Sequence, residues 1–182
     1  MQLQLSGSLE PGESLIWTGV PRQGIVLRAF DAFMIPFSVL WGGFAIFWEA
    51  TVLRSGAPVF FMLWGIPFVL IGLYIIVGRF FVDARVRANT FYGLADRRAI
   101  IVSGIFSRTT TSLPLRTLTD ISFNERRDGS GTIHLGRPHP FAAWYAGMQW
   151  PGMTTYQTPG FELISDVRRA YGQLMEVQRS AA

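Results

Sequence analysis

The chain has 182 residues and a formal net charge of +4, with 49% hydrophobic and only 15% charged residues. This hydrophobic fraction excludes a disordered chain. A soluble domain usually carries about 25% charged residues, so an ordinary water-soluble globule is also a poor description. There is no cysteine, which excludes disulfides, thiol nucleophiles and cysteine-ligated zinc.

Two apolar segments are long enough to cross a bilayer. Residues 29–48 contain one charge, Asp31, close to the start, and residues 57–78 contain none. A hydrocarbon core about 30 Å thick requires roughly 20 helical residues. We therefore predict transmembrane helix 1 over 29–48 and transmembrane helix 2 over 57–78, with kinks at Pro36 and Pro67.

All 16 basic residues of the Lys and Arg type are arginine, and their distribution predicts the orientation of these helices. The short connection, 49–56, requires an antiparallel hairpin and contains only Arg54. A cluster of arginines follows the second helix: Arg79, Arg85, Arg87, Arg97 and Arg98. Positively charged flanks stay in the cytoplasm. We expect a periplasmic connection, both termini in the cytoplasm and a bacterial inner-membrane location. No cleavable signal peptide is visible, so we expect the first helix to be retained as an anchor.

The rest of the chain divides into an N-terminal cytoplasmic segment, 1–28, a juxtamembrane helical extension, 79–88, and a cytoplasmic domain, 89–182. Short β-branched and aromatic runs in this domain alternate with turns, which is typical of an antiparallel sandwich or open barrel. Asp128-Gly129 predicts a hairpin. Residues 165–179 carry an apolar stripe at helical spacing, with Ser165 as the expected N-cap.

Short motifs lie on both sides of the apolar segments. They are Leu9, Pro11-Gly12-Glu13 and Trp17 before the helices, then Tyr92 to Arg98, Gly104, Leu115-Arg116, Ile121 and Phe161-Glu162 after them. With the order of elements, they resemble the bacterial pleckstrin-homology-like (PH-like) family, in particular short membrane proteins with two transmembrane helices followed by a PH-like domain. The resemblance implies a membrane-anchored α+β fold: a transmembrane hairpin, then a PH-like antiparallel sandwich or open barrel capped by a C-terminal helix. It implies no catalytic residue.

Residues that carry enzymatic chemistry do not converge in this sequence. His134 and His139 lie on either side of a turn, without the further ligands that a metal site needs. No serine stands in a nucleophile elbow, and Gly129-Ser130-Gly131 follows a hairpin pattern rather than that of a phosphate-binding loop. We expect no enzymatic activity, no catalytic or metal site and no cofactor.

Three sets of residues are candidate contact sites. The loop 136–160 carries Trp144, Tyr145, Trp150 and Tyr156. Three interpretations of this loop stay open: docking on the bilayer interface, binding a protein partner, or covering an edge of its own sheet. The five arginines after the second helix either contact lipid head groups or fix the topology. The small residues Gly42, Gly43 and Ala45 allow close helix–helix contact.

These observations predict a non-enzymatic integral inner-membrane protein. Its PH-like domain would mediate protein–protein or lipid-head-group interaction, including as an accessory or assembly subunit of a membrane complex. The alternative is a self-associating membrane scaffold, and a membrane-bound enzyme ranks third. The expected partners are membrane lipids and either another protein or further copies of the chain. Acidic residues interleaved with the arginines argue against nucleic acid, and no small-molecule substrate is evident.

Overall fold

The structure, a computed structural model, describes residue 5 and residues 7–105, 107–137 and 158–181. Its helical part contains α1 (Asp31–Arg54), α2 (Val59–Leu73) and α3 (Arg79–Ala88), and a π-helical turn, Tyr74–Gly78, joins α2 to α3. α2, the turn and α3 therefore form one helix of 30 residues, and α1 has 24 residues. Both helices are long and apolar enough to cross a membrane.

The two apolar segments form helices whose ends differ from the predicted ones. α1 continues to Arg54, so it includes residues 49–54, which the sequence pattern placed in the connection. No glycine or proline interrupts this stretch before Gly56, whose φ of +68° permits the turn. The connection between the helices is therefore shorter than predicted.

The β part of the described chain forms two antiparallel sheets. One has the order β1-β2-β3-β4, built from Leu15–Gly19, Phe91–Ala95, Arg98–Ser103 and Thr109–Pro114. The other has the order β5-β6-β7, built from Ile121–Glu125, Gly131–Leu135 and Gly160–Ile164. A 3₁₀ turn, Leu115–Thr117, precedes β5, and α4 (Val167–Ala181) follows β7. The fold is α+β with antiparallel sheets and a C-terminal helix, as predicted.

Strand β1 precedes α1, so the helical hairpin is inserted into the four-stranded sheet between β1 and β2. β1 pairs with β2, with Trp17 opposite Leu94 and Gly19 opposite Tyr92. The division into a segment 1–28 and a domain 89–182 leaves this strand out of the domain. The sequence gives no local sign of its partner, because that partner lies beyond both helices.

One cluster of buried side chains joins the two sheets to α4. It includes Leu94 of β2, Ile133 of β6, Phe161 of β7 and Leu174 of α4. The ring of Phe161 lies 5.3 Å from that of Trp17 on β1. The strand before the helices therefore packs in the same core as the C-terminal helix.

The C-terminal helix has the buried face that its sequence predicts. Val167, Ala170, Leu174 and Val177 are all buried. The helix begins later than expected, and Asp166 rather than Ser165 caps it by accepting a hydrogen bond from the backbone amide of Arg169 at 3.3 Å. The cap therefore lies one residue further along the chain than predicted.

The β5–β6 connection is the hairpin that Asp128-Gly129 predicts. Gly129 has a φ of +78°, and Oδ1 of Asp128 accepts hydrogen bonds from the Ser130 amide at 3.1 Å and hydroxyl at 2.6 Å. These bonds, more than the nearby charge of Arg22, hold the pKa of the Asp128 carboxyl below its ordinary value.

Candidate functional site

A cluster of charged side chains lies where the helical hairpin meets the β domain. Its members come from the segment before α1, from both helices and from β7, and we call them the junction cluster: Arg28, Asp31, Arg79, Asp83, Arg87 and Glu162. Three bases face three acids, so the cluster is formally neutral. Its geometry determines how firmly the helices are attached to the domain.

Arg87 is the most completely bonded member of the junction cluster. Its Nε and Nη2 donate to Asp83 at 3.0 and 2.6 Å, and both side chains are at least nine-tenths buried. Its Nη1 donates to the carbonyl of Arg22 at 2.6 Å, and its Nη2 donates to that of Gly24 at 2.8 Å. One side chain on α3 thus holds the chain that enters α1.

Arg28 connects the helices to the second sheet. Its Nη2 lies 3.5 Å from a carboxylate oxygen of Asp83 on α3 and 3.5 Å from one of Glu162 on β7. The backbone adds a further link, since the amide of Arg22 donates to the carbonyl of Leu163 at 2.9 Å. The hairpin and the β domain are therefore joined by partly buried polar contacts as well as by two chain connections.

A fourth ion pair, between the two helices, lies at the end of the hairpin next to the domain. Nη1 of Arg79 lies 2.7 Å from Oδ1 of Asp31, and both side chains are almost fully covered. Oδ2 of Asp31 accepts a hydrogen bond from the backbone amide of Arg28 at 2.6 Å, which satisfies a free donor just before α1. The charge at the start of the first apolar segment is therefore paired across the hairpin.

The arginines singled out from the sequence fall into two groups. Arg79 and Arg87 belong to the junction cluster, and Arg98 forms ion pairs with Glu10 at 3.0 Å and Glu13 at 2.7 Å. Arg85 and Arg97 are exposed. Contact of these arginines with lipid head groups stays a prediction.

Sequence reasoning missed Arg28, Asp83 and Glu162. Asp83 and Arg87 have the i,i+4 spacing at which helical side chains pair, and this signal was available. Arg28 and Glu162 meet only because β7 folds back beside the start of α1, and no local pattern indicates that contact.

Arg98 also clamps the N-terminal segment onto the outer face of the four-stranded sheet. Its Nη2 donates to the carbonyl of Ser8 at 3.1 Å, in addition to its bonds with Glu13. Beneath this clamp, Leu5 is fully buried and packs in a small cluster with Ile100 of β3 and with Leu9. The N-terminal segment thus covers a sheet face that would otherwise meet water.

We expect acid to release this clamp. Its hydrogen bond with Arg98 holds the pKa of Glu13 below the ordinary 4.5. A lowered folded-state pKa stabilises the docked segment above about 4.5, and the contribution is lost as pH falls through the lowered value. The protection of the amides of residues 7–15, taken relative to the intrinsic exchange rate at each pH, should therefore fall in acid. Glu13→Gln should give fast exchange already at neutral pH, whereas Glu176→Gln, at an exposed position of α4, should not.

The small residues of α1 serve mainly a contact inside the hairpin. A Cβ on Gly42 would lie 2.7 Å from Cδ1 of Ile76 and 3.4 Å from Cα of Gly72 on α2. Gly42 and Ala45 are buried, whereas a Cβ on Gly43 would meet nothing within 4 Å. Two of the three predicted contact residues therefore lie at the α1–α2 interface, and Gly43 faces outward.

Gly42→Val should loosen the hairpin, because the added carbons would force α1 away from α2. Overpacking of this kind costs about 1–3 kcal/mol. Gly43→Val makes the same chemical change on the outer face of the helix and is the matched control. Thermal unfolding in mild detergent should show a lower midpoint for Gly42→Val than for Gly43→Val, and equal midpoints would contradict the close contact.

Among the described residues, no group of three or more His, Asp or Glu side chains is placed to hold a metal ion. His134 lies on β6, and its Nε2 is 3.5 Å from the side-chain nitrogen Nδ2 of Asn124. His139 and the four loop aromatics, Trp144, Tyr145, Trp150 and Tyr156, lie outside the described residues. The three interpretations of that loop therefore all stay open.

One comparison with known proteins finds a match. The family model described as bacterial PH domain matches residues 30–160, a range that begins just before α1 and ends at the start of β7. No curated protein and no solved structure matches the chain. Because the match covers well over half of the sequence, including both apolar helices, the chain belongs to the bacterial PH domain family.

Proposed function

We propose that this chain is a non-enzymatic interaction module held in the bacterial inner membrane. α1 and the α2–α3 helix cross the bilayer as a hairpin, and both chain ends and the PH-like domain lie in the cytoplasm. Bacterial PH domains are typically non-catalytic interaction domains, which supports the first part of the proposal. The domain would present its surface to a protein or to lipid head groups, including as an accessory or assembly subunit.

The observation that carries this proposal is the insertion of the apolar hairpin between β1 and β2. Large apolar side chains on both helices are exposed, among them Leu40, Phe44, Phe47, Val59 and Leu70. Soluble monomers rarely expose apolar patches of this extent, whereas hydrocarbon accommodates them. Because the hairpin is part of a sheet connection and is ion-paired to the domain, membrane insertion would fix the domain at the bilayer surface.

Single-cysteine labelling tests the topology, since the chain has no native cysteine. Ser55→Cys lies in the connection and Ser180→Cys lies near the end of α4. In cells with a permeabilised outer membrane, an impermeant maleimide should label Ser55→Cys. It should label Ser180→Cys only after the inner membrane is opened. The reverse pattern, or release of the protein by alkaline carbonate, would overturn the proposal.

Mass measurement after purification in mild detergent tests the interaction role. A foreign subunit in fixed stoichiometry supports the accessory function, and a defined homo-oligomer supports the self-associating scaffold instead. Of the three small residues Gly42, Gly43 and Ala45, only Gly43 faces outward and is therefore available for contact between copies of the chain. Gly43→Leu should therefore break a homo-oligomer formed through α1 and leave binding of a foreign subunit to the β domain intact.

A further inference from the structure

Three large apolar side chains on the domain side of the Asp31–Arg79 pair are strongly exposed. Ile25 and Leu27 lie in the segment before α1, and Phe81 lies on α3; each is between 60% and 63% exposed. Val26 between them is buried, so Ile25 and Leu27 point outward together. This exposure equals that of Leu70, which lies within the apolar part of α2.

The exposed surface of α2 continues onto α3 without interruption. Leu73, Val77 and Phe81 are all exposed and follow each other at four-residue intervals, which places them on one face of the helix. The next position of this series is Arg85, which is also exposed. No acidic side chain of the described residues forms an ion pair with Arg85. An apolar stripe thus ends on a free cationic group.

Helix geometry gives the depth of these residues. Val59 to Gly78 covers about 30 Å at 1.5 Å per residue, which matches the hydrocarbon core and places Arg79 at its border. Phe81 and Arg85 then lie about 3 and 9 Å beyond Arg79. The head-group layer occupies roughly 5–8 Å on each side of the core.

The segment before α1 lies at the same depth. Arg28 contacts Asp83, and the carbonyl of Gly24 accepts a hydrogen bond from Arg87. Leu27 and Ile25 therefore lie between the levels of Asp83 and Arg87, about 6 to 12 Å beyond Arg79. Two separate parts of the chain present exposed apolar side chains within or next to the head-group layer.

We propose that Ile25, Leu27, Phe81 and Arg85 form an interfacial belt that binds the head-group layer of anionic phospholipid. Phe81 lies nearest the acyl chains, Leu27 and Ile25 lie further out, within and at the outer edge of the head-group layer, and the long side chain of Arg85 reaches back to pair with phosphate. The domain then rests directly on the bilayer surface. This inference depends on the proposed membrane-spanning hairpin and deepens it by naming the lipid-binding residues.

Spin labels on single cysteines test the belt in the full chain, reconstituted into vesicles of phosphatidylcholine and phosphatidylglycerol. Labels at Leu27→Cys and Phe81→Cys report on the belt, a label at Leu70→Cys reports on the hydrocarbon core, and one at Ser122→Cys on β5 reports on water. Collision with a water-soluble nickel chelate should be several-fold lower at Leu27 and Phe81 than at Ser122. These sites are exposed in the fold, so the substitutions remove no packing.

The outcomes separate the two proposals. If Leu70 is protected from the chelate while Leu27 and Phe81 are as accessible as Ser122, the hairpin spans the bilayer and the belt is overturned. If Leu70 is also accessible, the membrane-spanning hairpin itself is overturned. Protection at all three sites supports both proposals.

The anionic preference is tested with spin-labelled lipids. The fraction of motionally restricted phosphatidylglycerol, relative to phosphatidylcholine, should fall for Arg85→Gln and stay unchanged for Arg97→Gln. Arg97 is also exposed but lies in the β2–β3 turn, outside the proposed belt. If both variants lower the preference for phosphatidylglycerol equally, or if neither lowers it, the role of Arg85 is overturned.

Discussion

A fragment that contains only residues 83–182 will fail to fold, whereas the same fragment joined to residues 1–28 by a short flexible linker will fold as a soluble domain. The reason is that β1 completes the four-stranded sheet and Trp17 covers the ring of Phe161 in the core. Arg28 and Asp83 are 3.5 Å apart at their charged atoms, so a linker of about six residues can replace the hairpin. Circular dichroism and the dispersion of amide proton signals measure the result.

A substitution pair in the joined protein checks that β1 acts through its side-chain packing. Trp17→Ala should destabilise the fold by about 3 kcal/mol, the lower end for large aromatic truncations, because Trp17 is only partly buried. Ile16→Ala, on the exposed side of the same strand, should have little effect. A folded 83–182 fragment would contradict the placement of β1 in the domain.

The parts of this fold that the sequence predicts are those with a local signal. The apolar runs of α1 and α2 need only length and composition, and the apolar stripe of α4 repeats within a few turns. The β5–β6 hairpin follows from Asp128-Gly129, where Gly129 takes the positive φ that the turn requires. In each case, the residues that determine the structure are neighbours in sequence.

The parts that the sequence does not predict depend on partners far apart in the chain. β1 has five residues and no hairpin partner, because its neighbour β2 follows the whole helical insertion. β7 pairs with β6 in an irregular register, and Leu163 of β7 has a positive φ of 52°. The alternation of side chains between the two faces of β7 is therefore disturbed. The contact of Arg28 with Glu162 joins residues 134 positions apart, so the sequence could indicate the Asp83–Arg87 pair of the junction cluster but not this contact.

The substitution with the largest expected effect on stability in the junction cluster is Asp83→Asn. The variant keeps the shape of the side chain but leaves Arg87 buried without its counter-charge, and it also removes one partner of Arg28. Loss of one member of a buried ion pair typically costs about 3–5 kcal/mol. Denaturant unfolding of the full chain in mild detergent, followed by tryptophan fluorescence, should show a correspondingly lower midpoint with an unchanged slope.

Asp120→Asn is the matched control, because Asp120 pairs with Arg137 at the surface, where water and salt screen the charges. It should leave the midpoint almost unchanged. The larger effect of Asp83→Asn could come from the unpaired charge of Arg87 or from lost hydrogen bonds. A variant with both Asp83→Leu and Arg87→Met separates these two explanations. If the unpaired charge is the cause, this double variant should recover part of the lost stability. It should not recover all of it, because the carbonyls of Arg22 and Gly24 also lose their donor. Equal losses for Asp83→Asn and Asp120→Asn would mean that the junction cluster does not hold the hairpin to the domain, and that the attachment depends on the chain connections alone.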